Sequence, residues 1–129
     1  MRHKVAIAAA IVCLDWLVKW WVVSSGEFHI RNTGVSFGLG GPGLVMLGLA
    51  VIIILGYKDK RVWSETGWWL MLGGITANLG ERLIMGGISD YMKVPLIGLW
   101  FNLADAAIML GCIAILSTRG YNNRHENNL

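Results

Sequence analysis

The sequence predicts an all-α integral membrane protein of four transmembrane helices, with a short extracytoplasmic β-like loop segment between helices 1 and 2. Three observations lead there. The 129 residues are 55% hydrophobic and only 15% charged, with a mean hydropathy of +0.55, which is too apolar for a soluble domain of this size and leaves too few charges for a solvated surface. The apolar residues gather into four runs, the first with about the 20 residues that a spanning helix needs. Finally, Asp15 and Asp105 stand inside such runs, where a carboxylate at the helix centre costs roughly 2.5 to 3.5 kcal/mol on the most lenient insertion scale. A carboxylate kept at that cost points to a function.

The first helix is expected over residues 5–23. Its start, MRHKVAIAAAIVC, has the basic head and apolar core of a secretory signal, but the apolar pattern continues through Trp20, Trp21 and Val23, and no small residue stands at a cleavage position. It is read as a retained helix. Asp15 and Lys19 lie four apart and so share a face; they either neutralise each other or face the bundle interior and support a site there. In the loop that follows, Glu27 to Ile30 alternates polar and apolar like a short strand, and Asn32-Thr33-Gly34 supplies a turn. Residues 27–37 either form a flap over a membrane-facing entrance or connect two helices passively.

The second helix is expected over 43–56, beginning after Pro42 as a helix start prefers. A polar connector carries Lys58, Asp59, Lys60, Arg61 and Glu65. The third helix, over 67–85, holds Asn78 and Arg82 turned inward or snorkelling to the interface. Gly86, Gly87 and Ser89 then loosen the chain before Asp90. A fourth helix over 96–117 follows Pro95, which puts Asp105 about nine residues, roughly 13 Å, into it. Together residues 1–129 form a single membrane domain.

Lys and Arg set the orientation. Four crossings put the termini and the 57–66 connector on one side, with Arg2, Lys4, Lys58, Lys60, Arg61, Arg119 and Arg124; the other side has only Arg31, Arg82 and Lys93. The positive-inside rule makes both termini cytoplasmic. Asp90, Asp105, Asp15, Asn32, Asn78, Arg82 and Asn102 then fall on the outer side or in the outer half of their helices. Polar residues that merely tolerate a membrane would be scattered in depth.

Two carboxyls that converge can share one proton, so that one activates water while the other protonates a carbonyl oxygen; an amide can be hydrolysed this way without a covalent intermediate. No serine has a nucleophile motif around it, and Cys13 and Cys112 have no evident histidine partner. No metal-ligand spacing is present, and no cofactor is expected. The basic residues form no stripe of the kind that binds nucleic acid. The rival expectation is a small four-helix proton-coupled multidrug exporter, which favours one acidic residue near the midplane; here the acids converge on one side.

Five ordered blocks carry a family resemblance: LDWLVK (14–19), NTGVSFG (32–38), GGITANLGER (73–82), ISDYMKV (88–94) and FNLADAAI (101–108). The chain resembles bacterial lipoprotein signal peptidase, signal peptidase II, from residue 14 to residue 108. The resemblance implies an aspartyl endopeptidase of the bacterial inner membrane that removes the signal peptide from diacylglyceryl-modified prolipoproteins, cutting just before the lipidated cysteine. It implies Asp90 and Asp105 as the catalytic pair, with Asn32, Gly34, Asn78, Arg82 and Asn102 as substrate-binding or support residues and Asp15 with Lys19 as the supporting interior pair of helix one. The expected partners are prolipoprotein and membrane lipid, and the protein is expected to be a monomer. Three positions depart from the family: Val18 replaces the usual Ser or Thr, Ala77 the usual Gly, and Glu81 the usual Asp.

Overall fold

The computed structural model describes residues 2–33, 56 and 60–126. The elements are α1 (Arg2–Ser24), β1 (Ile30–Asn32), a 3-10 turn (Lys60–Ser64), α2 (Thr66–Met85), β2 (Ile88–Asp90), β3 (Met92–Val94), β4 (Leu99–Phe101) and α3 (Leu103–Glu126). Apart from Gly56, the expected second helix lies outside the described residues, as does Gly34. Among the described residues one helix, α1, is long and apolar enough by itself to cross a membrane, and α3 carries a shorter apolar stretch over Leu103–Thr118.

Toward the strands, the helices turn polar residues inward and large apolar residues outward, the reverse of a water-soluble bundle. In α1 the buried residues are Asp15, 0% exposed, Lys19, 4% exposed, and Val22, while Leu17 is 61% and Trp20 70% exposed. In α3, Met109, Leu110, Ile113 and Leu116 all point outward. Such a surface suits hydrocarbon, where buried polar groups must find partners within the protein. Asp15 and Lys19 both face the interior and also pair with each other at 2.7 Å.

Helix α2 packs between the other two, and small residues set the closeness of its contact with α3. A Cβ on Gly67 would lie 2.6 Å from the carbonyl oxygen of Gly111, and one on Gly74 would overlap the carbonyl of Ala104. Glycine there lets the two backbones touch, as small residues do between membrane helices. At the opposite end from the strands, Val62, Trp68, Trp69 and Met71 form an apolar cluster.

The fourth helix begins later than the sequence reading placed it. Leu99–Phe101 is not helical but pairs antiparallel with Met92–Val94, in the register Met92↔Phe101 and Val94↔Leu99. The intervening Pro95-Leu96-Ile97-Gly98 forms the turn, closed by the Gly98 N–H on the Val94 carbonyl at 2.9 Å, with Gly98 at φ +66°, a conformation that glycine adopts without strain. Leu99, Trp100 and Phe101 sit well on a half-buried strand, and Asn102 is a favoured N-cap. Asp105 is therefore in the first turn of its helix rather than well below it.

The expected β-like segment is displaced in the same way. The strand is Ile30–Asn32, paired antiparallel with β2 in the register Ile30↔Asp90 and Asn32↔Ile88, so Asn32 belongs to a strand and not to a turn. Helix α2 ends at Gly86, in the left-handed conformation at φ 74°, with its N–H on the Arg82 carbonyl. The Arg31 guanidinium donates to the Met85 carbonyl, which ties β1 to that helix end.

Candidate active site

The site is built on the N-terminus of α3. A helix start leaves four amides without intrahelical partners, and here each of the first three has one from outside the helix ladder. Leu103 N–H donates to the Tyr91 hydroxyl oxygen at 3.2 Å, Ala104 N–H to Asp15 Oδ1 at 2.9 Å, and Asp105 N–H to Asn102 Oδ1 at 2.9 Å. Asp105 Oδ2 in return accepts the Asn102 N–H at 3.1 Å. This is a reciprocal capping box, with aspartate in the place of the usual glutamate or glutamine. Asp15 and Asp105 thus both accept hydrogen bonds from backbone N–H groups at the start of α3.

Asn102 reaches the second carboxyl as well, donating its Nδ2 to Asp90 Oδ1 at 2.7 Å. Asn32 Nδ2 lies 3.4 Å from Asp90 Oδ2. One asparagine therefore holds both aspartates through different atoms, and its amide orientation is fixed by the Asp105 N–H that its oxygen accepts.

Behind Asp105 the network runs to a buried lysine. Asn78 Nδ2 donates to Asp105 Oδ1 at 2.8 Å, and Asn78 Oδ1 accepts from Lys19 Nζ at 2.8 Å. Lys19 also pairs with Asp15 Oδ2 at 2.7 Å and with Glu81 Oε2 at 2.8 Å. The three N–H bonds of an ammonium group are matched by three acceptors. Arg82 Nη2 donates to the Asn32 carbonyl at 3.3 Å, linking α2 to β1.

Burial first, and then the charge of Asp105, push the Asp90 carboxyl up to about 6. Hydrogen bonds from Asn102 and Asn32, and the Lys19 charge, pull the other way. Because the folded protein then holds this proton more tightly than the unfolded chain does, stability falls as pH rises from about 4 through about 6. Asp90→Asn removes that loss. The variant is expected to melt several degrees above the parent at pH 7.5 and together with it near pH 4, in thermal unfolding followed in detergent; an offset that does not change with pH would contradict this.

Asp90 and Asp105 line one cavity of about 350 Å³, with Asn32 and an otherwise apolar wall that includes Leu99, Phe101 and Met109. Side chains alternate along a strand, so Ser89 faces the other way. It lines a second cavity of about 350 Å³ together with Lys19, Glu81, Trp16 and Trp20. Strand β2 is the partition between the two.

The structure brings Asp15, Lys19, Asn32, Asn78, Arg82, Asp90, Asn102 and Asp105 into one connected group, and only Gly34 lies outside the described residues. Sequence reasoning missed two members. Glu81 shares an inward face with Asn78 three residues earlier, a spacing that could have placed it. Tyr91, whose phenol burial pushes up to about 12, gave no signal, because its contact depends on where α3 begins.

The profile of the Signal peptidase (SPase) II family matches residues 7–119. A lipoprotein signal peptidase from Cyanothece sp. is 35% identical over 130 residues, covering 80% of this chain and 75% of its own. One from Synechocystis sp. is 35% identical over 133 residues, covering 85% and 83%. A solved bacterial membrane enzyme shares the fold, with a TM-score of 0.76 at 19% identity over 95% of this chain and 90% of its own. The exporter expectation finds no support in these similarities.

Proposed function

Since the chain belongs to the signal peptidase II family, membrane proteases that remove signal peptides from prolipoproteins, we propose that Asp90 and Asp105 are its catalytic pair. The observation that carries this reading is Asn102, which bonds to both carboxyls at the edge of one apolar-walled cavity. Asp105, held by donors from Asn78 and Asn102 with the Lys19 cation behind, acts as the base. Asp90, held on the other side of Asn102, supplies the proton.

Water adds to the scissile carbonyl carbon, its proton passing to Asp105 while the Asp90 proton moves to the carbonyl oxygen. The tetrahedral diol then collapses. Asp105 returns its proton to the leaving nitrogen, a diol proton goes back to Asp90, and the C–N bond breaks. Acid and base each contribute about 10² to 10⁴ in rate when correctly placed.

The reading extends to four spanning helices in the bacterial inner membrane, both termini cytoplasmic and the pair near the outer leaflet. It is supported by the outward apolar faces and by the Lys and Arg distribution. The β3–β4 turn adds to it: Leu96 is 96% exposed, and Lys93 sits 5.4 Å from the Trp100 ring, a basic and aromatic pairing typical of a membrane interface. Phe28 packs on Trp100 at 5.3 Å between ring centroids, which supports the loop after α1 lying over the cavity as a flap. A substrate cysteine held at the surface by acyl chains presents its scissile bond at this depth.

The test is incubation of the purified chain with a diacylglyceryl-modified prolipoprotein and with the unmodified precursor, the products being weighed by mass spectrometry. Cleavage just before the modified cysteine, and of the modified precursor alone, is expected. No cleavage, or equal cleavage of both precursors, would contradict it.

A further inference from the structure

We propose that Glu81 and Ser89 are positioning residues that lock the Asp90 strand to the Lys19 cation and thereby set how readily Asp90 keeps its proton. The proposal rests on the catalytic reading above and deepens it. Glu81 Oε1 accepts two bonds from one residue of β2, the Ser89 N–H at 3.0 Å and the Ser89 hydroxyl at 2.8 Å, while Glu81 Oε2 pairs with Lys19. Asp90 is the next residue along that strand. The same lysine is one bond from Asn78 and two from Asp105.

Both ends of this tether are needed for geometry. Strand β2 is three residues long and its ladder with β1 is equally short, so few backbone hydrogen bonds resist a shift along it. One carboxylate oxygen that accepts both the Ser89 N–H and the Ser89 hydroxyl fixes the register from the face opposite the catalytic cavity, without occupying that cavity. Charge-assisted bonds of this kind are about twice as strong as neutral ones.

The tether also sets an electrostatic balance. Glu81 is faced by Lys19 from α1 and Ser89 from β2; Asp15 shares Lys19 with it, and Arg82 follows Glu81 in α2. Asp90 is faced by Asp105 and Asn102 from the start of α3, by Asn32 from β1 and by the more distant Lys19. The Lys19 charge favours the ionised form of Asp90. Glu81 offsets that charge, so a neutral residue here leaves Lys19 with one carboxylate partner and strengthens its pull.

Residue 81 is glutamate, one methylene longer than aspartate. The extra methylene allows one carboxylate to span Lys19 and the β2 backbone together. Glu81→Gln keeps the length and the Ser89 contacts but removes the charge, whereas Ser89→Ala keeps the charge and removes only the hydroxyl bond. The two variants separate the electrostatic half of the tether from the mechanical half.

The experiment measures kcat, KM and their pH profiles for the parent, Glu81→Gln and Ser89→Ala, together with Tm. In parallel, the protonated carboxyl band assigned to Asp90 by comparison with Asp90→Asn is titrated by infrared difference spectroscopy. Glu81→Gln is expected to lower kcat about tenfold, to leave KM within about twofold, and to move the Asp90 titration and the limb it governs to lower pH. Ser89→Ala is expected to lower kcat by a smaller factor with the titration unmoved. An unchanged titration in Glu81→Gln, or a kcat that falls only in step with Tm, would overturn the proposal. If Glu81→Gln does not fold, unchanged kcat in Ser89→Ala overturns it and a lowered kcat at parental Tm supports it. Because the infrared titration needs no substrate, a shifted band in a chain that cleaves nothing would sink the catalytic reading and leave the tether standing.

Discussion

Replacing either aspartate with asparagine is expected to stop cleavage of a lipid-modified prolipoprotein, with a fall in kcat of about 10³ or more. Asparagine matches aspartate in size and still accepts a hydrogen bond, so Asp105→Asn keeps one arm of the capping box on α3. Asp90→Asn likewise keeps an oxygen for the Asn102 amide. What each loses is the ability to take or give a proton. Both variants should therefore fold, and Asp90→Asn should be the more stable at neutral pH. Cleavage at a tenth of the parental rate by either variant would show that its carboxyl is not part of the chemistry.

The second large effect is on stability and falls at Lys19. Lys19→Met removes the ammonium that Asp15, Glu81 and Asn78 all accept from and leaves two carboxylates inside the bundle without their cation. Breaking a buried ion pair from one side costs about 3 to 5 kcal/mol, a large part of the net stability of a small domain. The variant is expected to be recovered at a small fraction of the parental yield and to melt far below it. A double variant, Lys19→Met with Glu81→Gln, should regain part of the loss, since one of the stranded charges is gone. A Lys19→Met protein with parental Tm would contradict the placement of the lysine at the centre of the network.

Much of this network was legible because polar residues in hydrocarbon are costly and helices have a fixed period. Asp15 and Lys19 at i and i+4, Asn78 and Arg82 at i and i+4, and Asn102 with Asp105 at i and i+3 each declared a shared face. The start of α3 was hidden inside an apolar run, because a three-residue strand shows no period and Leu99-Trp100-Phe101 reads equally well as helix. The capping pattern Asn102-x-x-Asp105 was nonetheless in the sequence and, taken as a helix start, places α3 at Leu103. The bond from Asp15 to the Ala104 amide spans 89 positions and depends on how α1 packs against α3, which no local pattern encodes. The same is true of Glu81 reaching Ser89 around the end of α2. The expected helix over 43–56 and the Gly34 position lie almost wholly outside the described residues.

The central claim is that Asp90 and Asp105 work as one unit, and the most direct measurement is cleavage by Asp90→Asn, Asp105→Asn and the double variant under single-turnover conditions. Groups that act together lose their effect together, so the double variant is expected to retain the same residual rate as either single one. Losses that multiply in the double variant, or a single variant that still cleaves before the modified cysteine at a rate near the parent's, would contradict it.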